Sequence, residues 1–199
     1  PLTRLGNTNA TEIAKVLENS YRAMNIAFMV EWSRFAEEAG VDLYEVVNAI
    51  RLRPTHSNLM YPGIGVGGYC LTKDAFLASW ARQNLIGKND ALSQSEKAIG
   101  INDQMPKFAY EFLQKHYPDF SGSKILLLGV SYRGDVGDTR FSPVEKLYNY
   151  LTEAGANISC HDPYVKYWGE QSLKIYENLS THLNQSLDII ILSTGHSIY

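Results

Sequence analysis

The hydrophobic pattern changes its period once along the 199 residues, and that change limits the possible folds more than any single motif does. Before the turn-forming stretch "YPDFSGSK", residues 117–124, apolar side chains recur at helical spacing; after it, short apolar runs alternate with helical segments. "KILLLGV", residues 124–130, reads as a buried strand. "SPVEKLYNYLTEAGA" reads as a helix with Pro143 at its start and Gly155 at its end, "NISCHDP" as a second strand and "SLDIIILST" as a third. Strands alternating with helices pair in parallel through right-handed crossovers. The expected class is therefore α/β: a helical first part built on one long helix, then a partial Rossmann-like, doubly wound parallel sheet.

In the helical part, Ile13, Leu17, Tyr21, Met24, Phe28, Trp32, Phe35 and Ala39 keep one helical register, with Gly40 as a stop and Asn9 followed by Glu12 as a capping box. Such a helix would run about 45 Å at ~1.5 Å per residue. Being apolar nearly all round between Ala23 and Val30, it is expected to be a buried spine within the subunit or between two subunits. Residues 43–50 fit a second helix, "RLRPTHSNLMYPG" a loop, and residues 71–83 and 91–116 two further helices.

Composition narrows the function classes. A net charge of −3 with lysine and arginine spread evenly leaves no basic stripe, so nucleic-acid binding is not expected. The only cysteines, Cys70 and Cys160, lie in segments of different character, which argues against a disulfide and for a reducing, cytoplasmic compartment. No run approaches the roughly 18–20 apolar residues that span a bilayer, and "PLTRLGNTNATE" has no signal-peptide pattern, so no membrane association is expected. No metal site is expected either.

The stretch "YPGIGVGGYCLTKD" packs four glycines into six positions just ahead of Cys70. Gly63, Gly65 and Gly68 satisfy G-x-G-x-x-G, but no strand precedes them, so this is not a dinucleotide fingerprint. Clustered glycine marks backbone that bends sharply or approaches something closely. Cys70 falls at or just before a helix start, where backbone N–H groups favour a thiolate, and Asp74 falls one turn later on the same face. A thiol that attacks a carbonyl, a carboxylate that handles a proton, and glycine amides that cradle an oxyanion form one consistent set. A buried structural cysteine in a glycine-rich turn is the other reading. Lys15 and Asn19 form a second i, i+4 pair, on the long helix: either a solvated surface pair or a cation placed against developing negative charge.

These residues resemble the UDP-glucose/GDP-mannose dehydrogenase family of nucleotide-sugar dehydrogenases over nearly the whole chain. "EIAKVLENSYRAMNIAFMVE" is similar to the start of that family's central helical domain and "GVGGYCLTKD" to its catalytic-cysteine motif. "GVSYRGDVGDTRFSP" and "GANISCHDP" are similar to its C-terminal nucleotide-binding domain. The resemblance implies an NAD-dependent, two-step oxidation of a sugar's primary alcohol to a carboxylate through a cysteine thioester, on a UDP- or GDP-sugar, by a homodimer joined through the long helix. It implies Cys70 as nucleophile, Asp74 as the acid/base residue of the water steps, Lys15 as the cation facing the oxyanion and Asn19 as its companion. It further implies Gly67 and Arg133 at the sugar nucleotide, Arg53 lent across the dimer, and Arg140 toward NAD. Thr72 stands where many relatives carry proline and Ala75 follows Asp74, while Lys73 leans toward the UDP-glucose and GDP-mannose type. The implied domains are 1–120, central and helical, and 121–199, part of the nucleotide-sugar-binding domain. The family's N-terminal NAD-binding domain is absent from these residues, so this stretch alone is expected to be inactive. Two other classes remain open: a non-catalytic dimerisation and nucleotide-sugar-binding module, and a cysteine hydrolase using His56, His116 or His161 as base.

Overall fold

Asn7, not Asn9, caps the long helix: its Oδ1 accepts the Ala10 N–H at 2.8 Å, and α1 runs Thr8–Glu38. Asn9 and Glu12 lie inside the first turns, so the expected capping box does not form. The other end follows expectation. Gly40, at φ 69°, donates to Glu37 O, and Val41 N–H reaches back to Ala36 O at 2.8 Å, the paired bonds that close a helix on a left-handed residue.

This computed structural model describes residues 3–175 and 178–199. They divide into two compact units: residues up to Gly63 with Cys70–Asn102, and Ile64–Tyr69 with Asp103–Tyr199. In the first unit α1 packs on α2, Leu43–Arg51, and on α3, Asp74–Asn84. The side of α1 facing inward is mostly small and polar, with Asn19, Ser20, Ala23, Ala27, Met29, Val30 and Ala36 buried. Ile13, Leu17, Tyr21, Phe28, Trp32 and Phe35, read as the spine's buried face, are exposed in the single chain. Small side chains let neighbouring helices approach closely, which the aromatic side cannot do. Helix α3 begins three residues later than expected, because Leu71, Thr72 and Lys73 form a turn instead. Helix α4, Ser93–His116, follows, and Asn102 on it donates from Nδ2 to Ala23 O at 2.9 Å.

The second unit is built on strand β1, Lys124–Leu128. Helix α5, Pro143–Glu153, with Ser142 as its cap and Pro143 in its first turn, leads to β2, Asn157–His161. A short antiparallel hairpin then pairs β3, Tyr167–Trp168, with β4, Leu173–Lys174; it is followed by α6, Leu179–Leu183, and β5, Ile189–Leu192. The sheet is parallel in the order β2-β1-β5, with Leu127 opposite both Cys160 and Ile191. Ile125, Leu127, Val144, Leu147, Leu151 and Trp168 form the centre of its core.

Because the order reverses at β1, the loops leaving β1 and β5 lie side by side, the place where open α/β sheets receive ligands. Gly129 permits this. At φ 91°, a Cβ there would lie 2.4 Å from Thr194 Cβ. Among the described residues no helix is long and apolar enough to cross a membrane. Leu127→Ala removes a fully buried side chain from the sheet and is expected to lower the unfolding free energy by about 2–5 kcal/mol in a urea melt; a loss near zero would contradict this core.

Candidate functional site

Packing of α1 on α3 brings together two polar side chains 55 positions apart in sequence: Asn19 Nδ2 donates to Asp74 Oδ2 at 2.6 Å. Both are buried, at 1% and 7% exposure. The pairing is obligatory, since a buried carboxylate without donors carries a large desolvation cost. Lys15 extends the chain outward, its Nζ 3.4 Å from Asn19 Oδ1 and 3.3 Å from Glu18 Oε2, while its side chain stays 61% exposed. Lys73 donates to the other oxygen, Asp74 Oδ1, at 3.3 Å. Asp74 also opens α3, so the carboxylate sits where helix N–H groups favour an anion. Lys73, which sequence reasoning used only as a marker of family type, is thus a second cation on the site.

Cys70 is exposed and lies in the turn ahead of α3, not in the helix. Its carbonyl accepts the N–H groups of Lys73 at 3.2 Å and Asp74 at 3.0 Å, so a helical-type turn still links the thiol residue to the carboxylate residue. Among the described residues the sulfur makes no hydrogen bond, to a histidine or to any other group. His56 Nδ1 pairs with Thr55 Oγ1 at 2.8 Å, and His161 Nδ1 with the Tyr199 hydroxyl at 2.8 Å. Cys160 is the opposite case: burial pushes its thiol up to about 12. Arg53 is exposed at the start of a short 3-10 turn, Pro54–His56, and its guanidinium has no partner among the described residues.

The remaining candidates lie in the second unit. Gly67 is buried, and a Cβ there would come within 2.4 Å of Tyr132 Cβ and 2.7 Å of Phe141 O. Gly68, at φ 79°, lies against the Tyr132 ring and donates its N–H to Arg140 O at 3.0 Å. The close approach anticipated from the glycine cluster is therefore made, at least in part, to the chain itself. Arg133 is exposed, with no partner for its guanidinium among the described residues. Arg140 is exposed too and is gripped by Asp138, Nε to Oδ1 at 3.0 Å and Nη2 to Oδ2 at 2.6 Å; the guanidinium hydrogen bonds hold that carboxyl below its ordinary range. Among the described residues no His, Cys, Asp or Glu cluster could hold a metal ion. Sequence reasoning passed over Asp162 and His196; their signal was position alone, Asp162 directly after β2 and His196 in the loop four residues beyond β5.

Known proteins share this layout. Residues 9–104 match the central domain of the UDP-glucose/GDP-mannose dehydrogenase family and residues 126–199 its UDP binding domain. A UDP-N-acetyl-D-mannosamine dehydrogenase of Methanocaldococcus jannaschii is 32% identical over 98% of this chain and 42% of its own length. A UDP-glucose 6-dehydrogenase of Rattus norvegicus is 30% identical over 80% of this chain and 32% of its own length. The crystal structure of an NDP-N-acetyl-D-galactosaminuronic acid dehydrogenase from Methanosarcina mazei Go1 superposes with a TM-score of 0.85 at 31% identity, over 96% of this chain and 42% of that one. The chain thus spans between about a third and a little over two fifths of the length of these relatives.

A thiol-disulfide reagent at neutral pH is expected to modify Cys70 in the native chain and Cys160 only after denaturation. Native Cys70→Ser protein should release no thiol signal; reaction of Cys160 in the folded state would contradict its burial.

Proposed function

Since the chain belongs to the UDP-glucose/GDP-mannose dehydrogenase family, we propose that it is the substrate-binding and catalytic-cysteine portion of an NAD-dependent nucleotide-sugar 6-dehydrogenase. In this reading residues 1–120 are the central domain and 121–199 part of the nucleotide-sugar-binding domain. One observation carries it: the buried Asn19–Asp74 hydrogen bond, extended by Lys15 and Lys73, on the same turn that exposes Cys70. A merely structural cysteine has no need of an exposed position beside a carboxylate with donors on both oxygens.

NAD, when bound, supplies the hydride acceptor for both oxidations. One residue here suits it, Arg140, whose exposed guanidinium is oriented by Asp138 and carries the charge a cofactor phosphate calls for. The chemistry between the oxidations belongs to the chain. The Cys70 sulfur bonds to the aldehyde carbon while the carbonyl oxygen takes up a proton, giving a thiohemiacetal; oxidation of that carbon gives the thioester. Water then adds, the C–S bond breaks, and the acid leaves as the thiol is regained. Lys15 and Asn19 stabilise the negative charge that develops on oxygen at each addition, and Asp74 moves the proton of the attacking water. Gly67, packed against Tyr132 and Phe141, fixes the course of the glycine loop beside the sugar nucleotide, Arg133 pairs with the nucleotide's phosphates, and Arg53 serves a second subunit's site.

A UDP-sugar is the favoured substrate class, from the UDP binding domain matched at residues 126–199 and the UDP-sugar dehydrogenases among the relatives. In the intact enzyme, a UDP-sugar is expected to reduce two NAD per molecule in a panel of UDP-N-acetyl-D-mannosamine, UDP-glucose and GDP-mannose. Cys70→Ser should yield no acid, and Asp74→Asn should slow its release by about 10²–10⁴-fold. Acid formation unaltered by Cys70→Ser would remove Cys70 from the mechanism, and binding of these sugars with no NAD reduced would leave the other reading, a non-catalytic nucleotide-sugar-binding and dimerisation module.

The exposed aromatic side of α1 belongs to the same proposal. Phe28, Trp32 and Phe35 form a continuous ring cluster, with centroids 6.1 and 5.8 Å apart, of the kind that a subunit interface buries. Sedimentation should show a dimer that Phe28→Glu with Trp32→Glu converts to monomer; a monomeric parent chain would refute the helix-mediated interface.

A further inference from the structure

Arg133 stands on backbone that is tied down on both sides. Asp162, with no exposed side-chain surface, accepts at Oδ2 from Val130 N–H at 2.8 Å, Ser131 N–H at 3.1 Å and Ser131 Oγ at 3.1 Å, and at Oδ1 from Tyr164 N–H at 2.9 Å. Burial alone would raise this carboxyl, but the N–H groups of Val130, Tyr164 and Ser131, with His196 alongside, hold it below its ordinary range. On the far side of Arg133, Asp135 N–H donates to His196 Nδ1 at 2.9 Å. That bond requires a bare Nδ1, so the ring hydrogen is assigned to Nε2, which lies 3.1 Å from Asp162 Oδ2.

The loop leaving β5 completes the arrangement. Asp135 is held at φ 58° while its Oδ1 accepts from both N–H and Oγ of Ser197 at 2.9 Å. Thr194 Oγ1 donates to Ser131 O at 2.6 Å, and a Cβ on Gly134 would lie 2.3 Å from Gly195 O. The segment 130–135 is thus fixed by the two ends of a buried His196–Asp162 pair, while the guanidinium between them has no partner among the described residues.

We propose that Asp162 and His196 are positioning residues that pre-order the Arg133 loop, so that binding a nucleoside diphosphate does not have to order it. The proposal rests on the reading of Arg133 as the phosphate contact. Calorimetry with UDP and hydrogen exchange of the 199-residue chain test it. His196→Ala is expected to weaken UDP binding about tenfold and to speed exchange of the Asp135 amide, with no further loss when added to Arg133→Ala.

Should His196→Ala fail to fold, the exposed Asp135 provides the same test. Asp135→Gly accepts the left-handed backbone but loses the Ser197 bonds, and should weaken UDP; Asp135→Asn keeps backbone and acceptor, and should restore it. Unchanged exchange at Asp135 in His196→Ala, or a loss of affinity that adds in full to that of Arg133→Ala, overturns the clamp. UDP binding unaltered by Arg133→Ala overturns instead the reading of Arg133, which the exchange result at Asp135 separates from a failure of the clamp itself.

Discussion

The hydrogen bond between Asn19 and Asp74 sets the rotation of the long helix. A carboxylate at the buried start of α3 has to find donors, and α1 supplies one only if Asn19 faces inward. At about 100° per residue, Ala23, Ala27 and Val30 then share that inward side, and Leu17, Phe28 and Phe35 are carried to the opposite one. The exposed aromatic side is thus a consequence of satisfying one buried polar pair. The same rotation places Lys15 one turn from Asn19 at the solvent edge, so the ion chain and the apolar side have a single geometric origin.

The second unit rests on close backbone approach. Gly129 and Gly134 let the loops after β1 and β5 touch, and Gly67 lets the glycine loop lie against Tyr132 and Phe141. Side chains at these positions would separate the segments by more than the observed hydrogen bonds tolerate. The buried carboxylate of Asp162 has three backbone donors, two of them from the loop after β1, and once the loops meet His196 spans from it to Asp135. Burial without those donors would favour the neutral acid; with them the ionised form persists.

Much of this was legible in the chain. The change of period at residues 117–124, the helix stops at Gly40 and Gly155, the proline at the head of α5 and the three parallel strands all follow from local rules, and all appear. Errors occurred where neighbours compete. Asn7 and Asn9 are equally good caps, and the turn at Lys73 is fixed by carbonyl contacts from Cys70. The hairpin of Tyr167–Trp168 and Leu173–Lys174 has two residues per strand, too few for alternation to register. Of the candidate site, the i, i+4 pair of Lys15 and Asn19 and the spacing of Cys70 to Asp74 were readable, but the Asn19–Asp74 contact was not.

The sequence by itself determined the long helices and the three parallel strands, their order, the α/β class and the family likeness, because periodicity, caps and glycine act within one or two turns of chain. Only the tertiary structure decided which side of α1 is inside, what the glycines approach, and that Asp162 and His196 hold the two ends of the Arg133 loop. Those depend on pairings between residues tens of positions apart, and the chemistry of one partner does not reveal where along the chain the other lies.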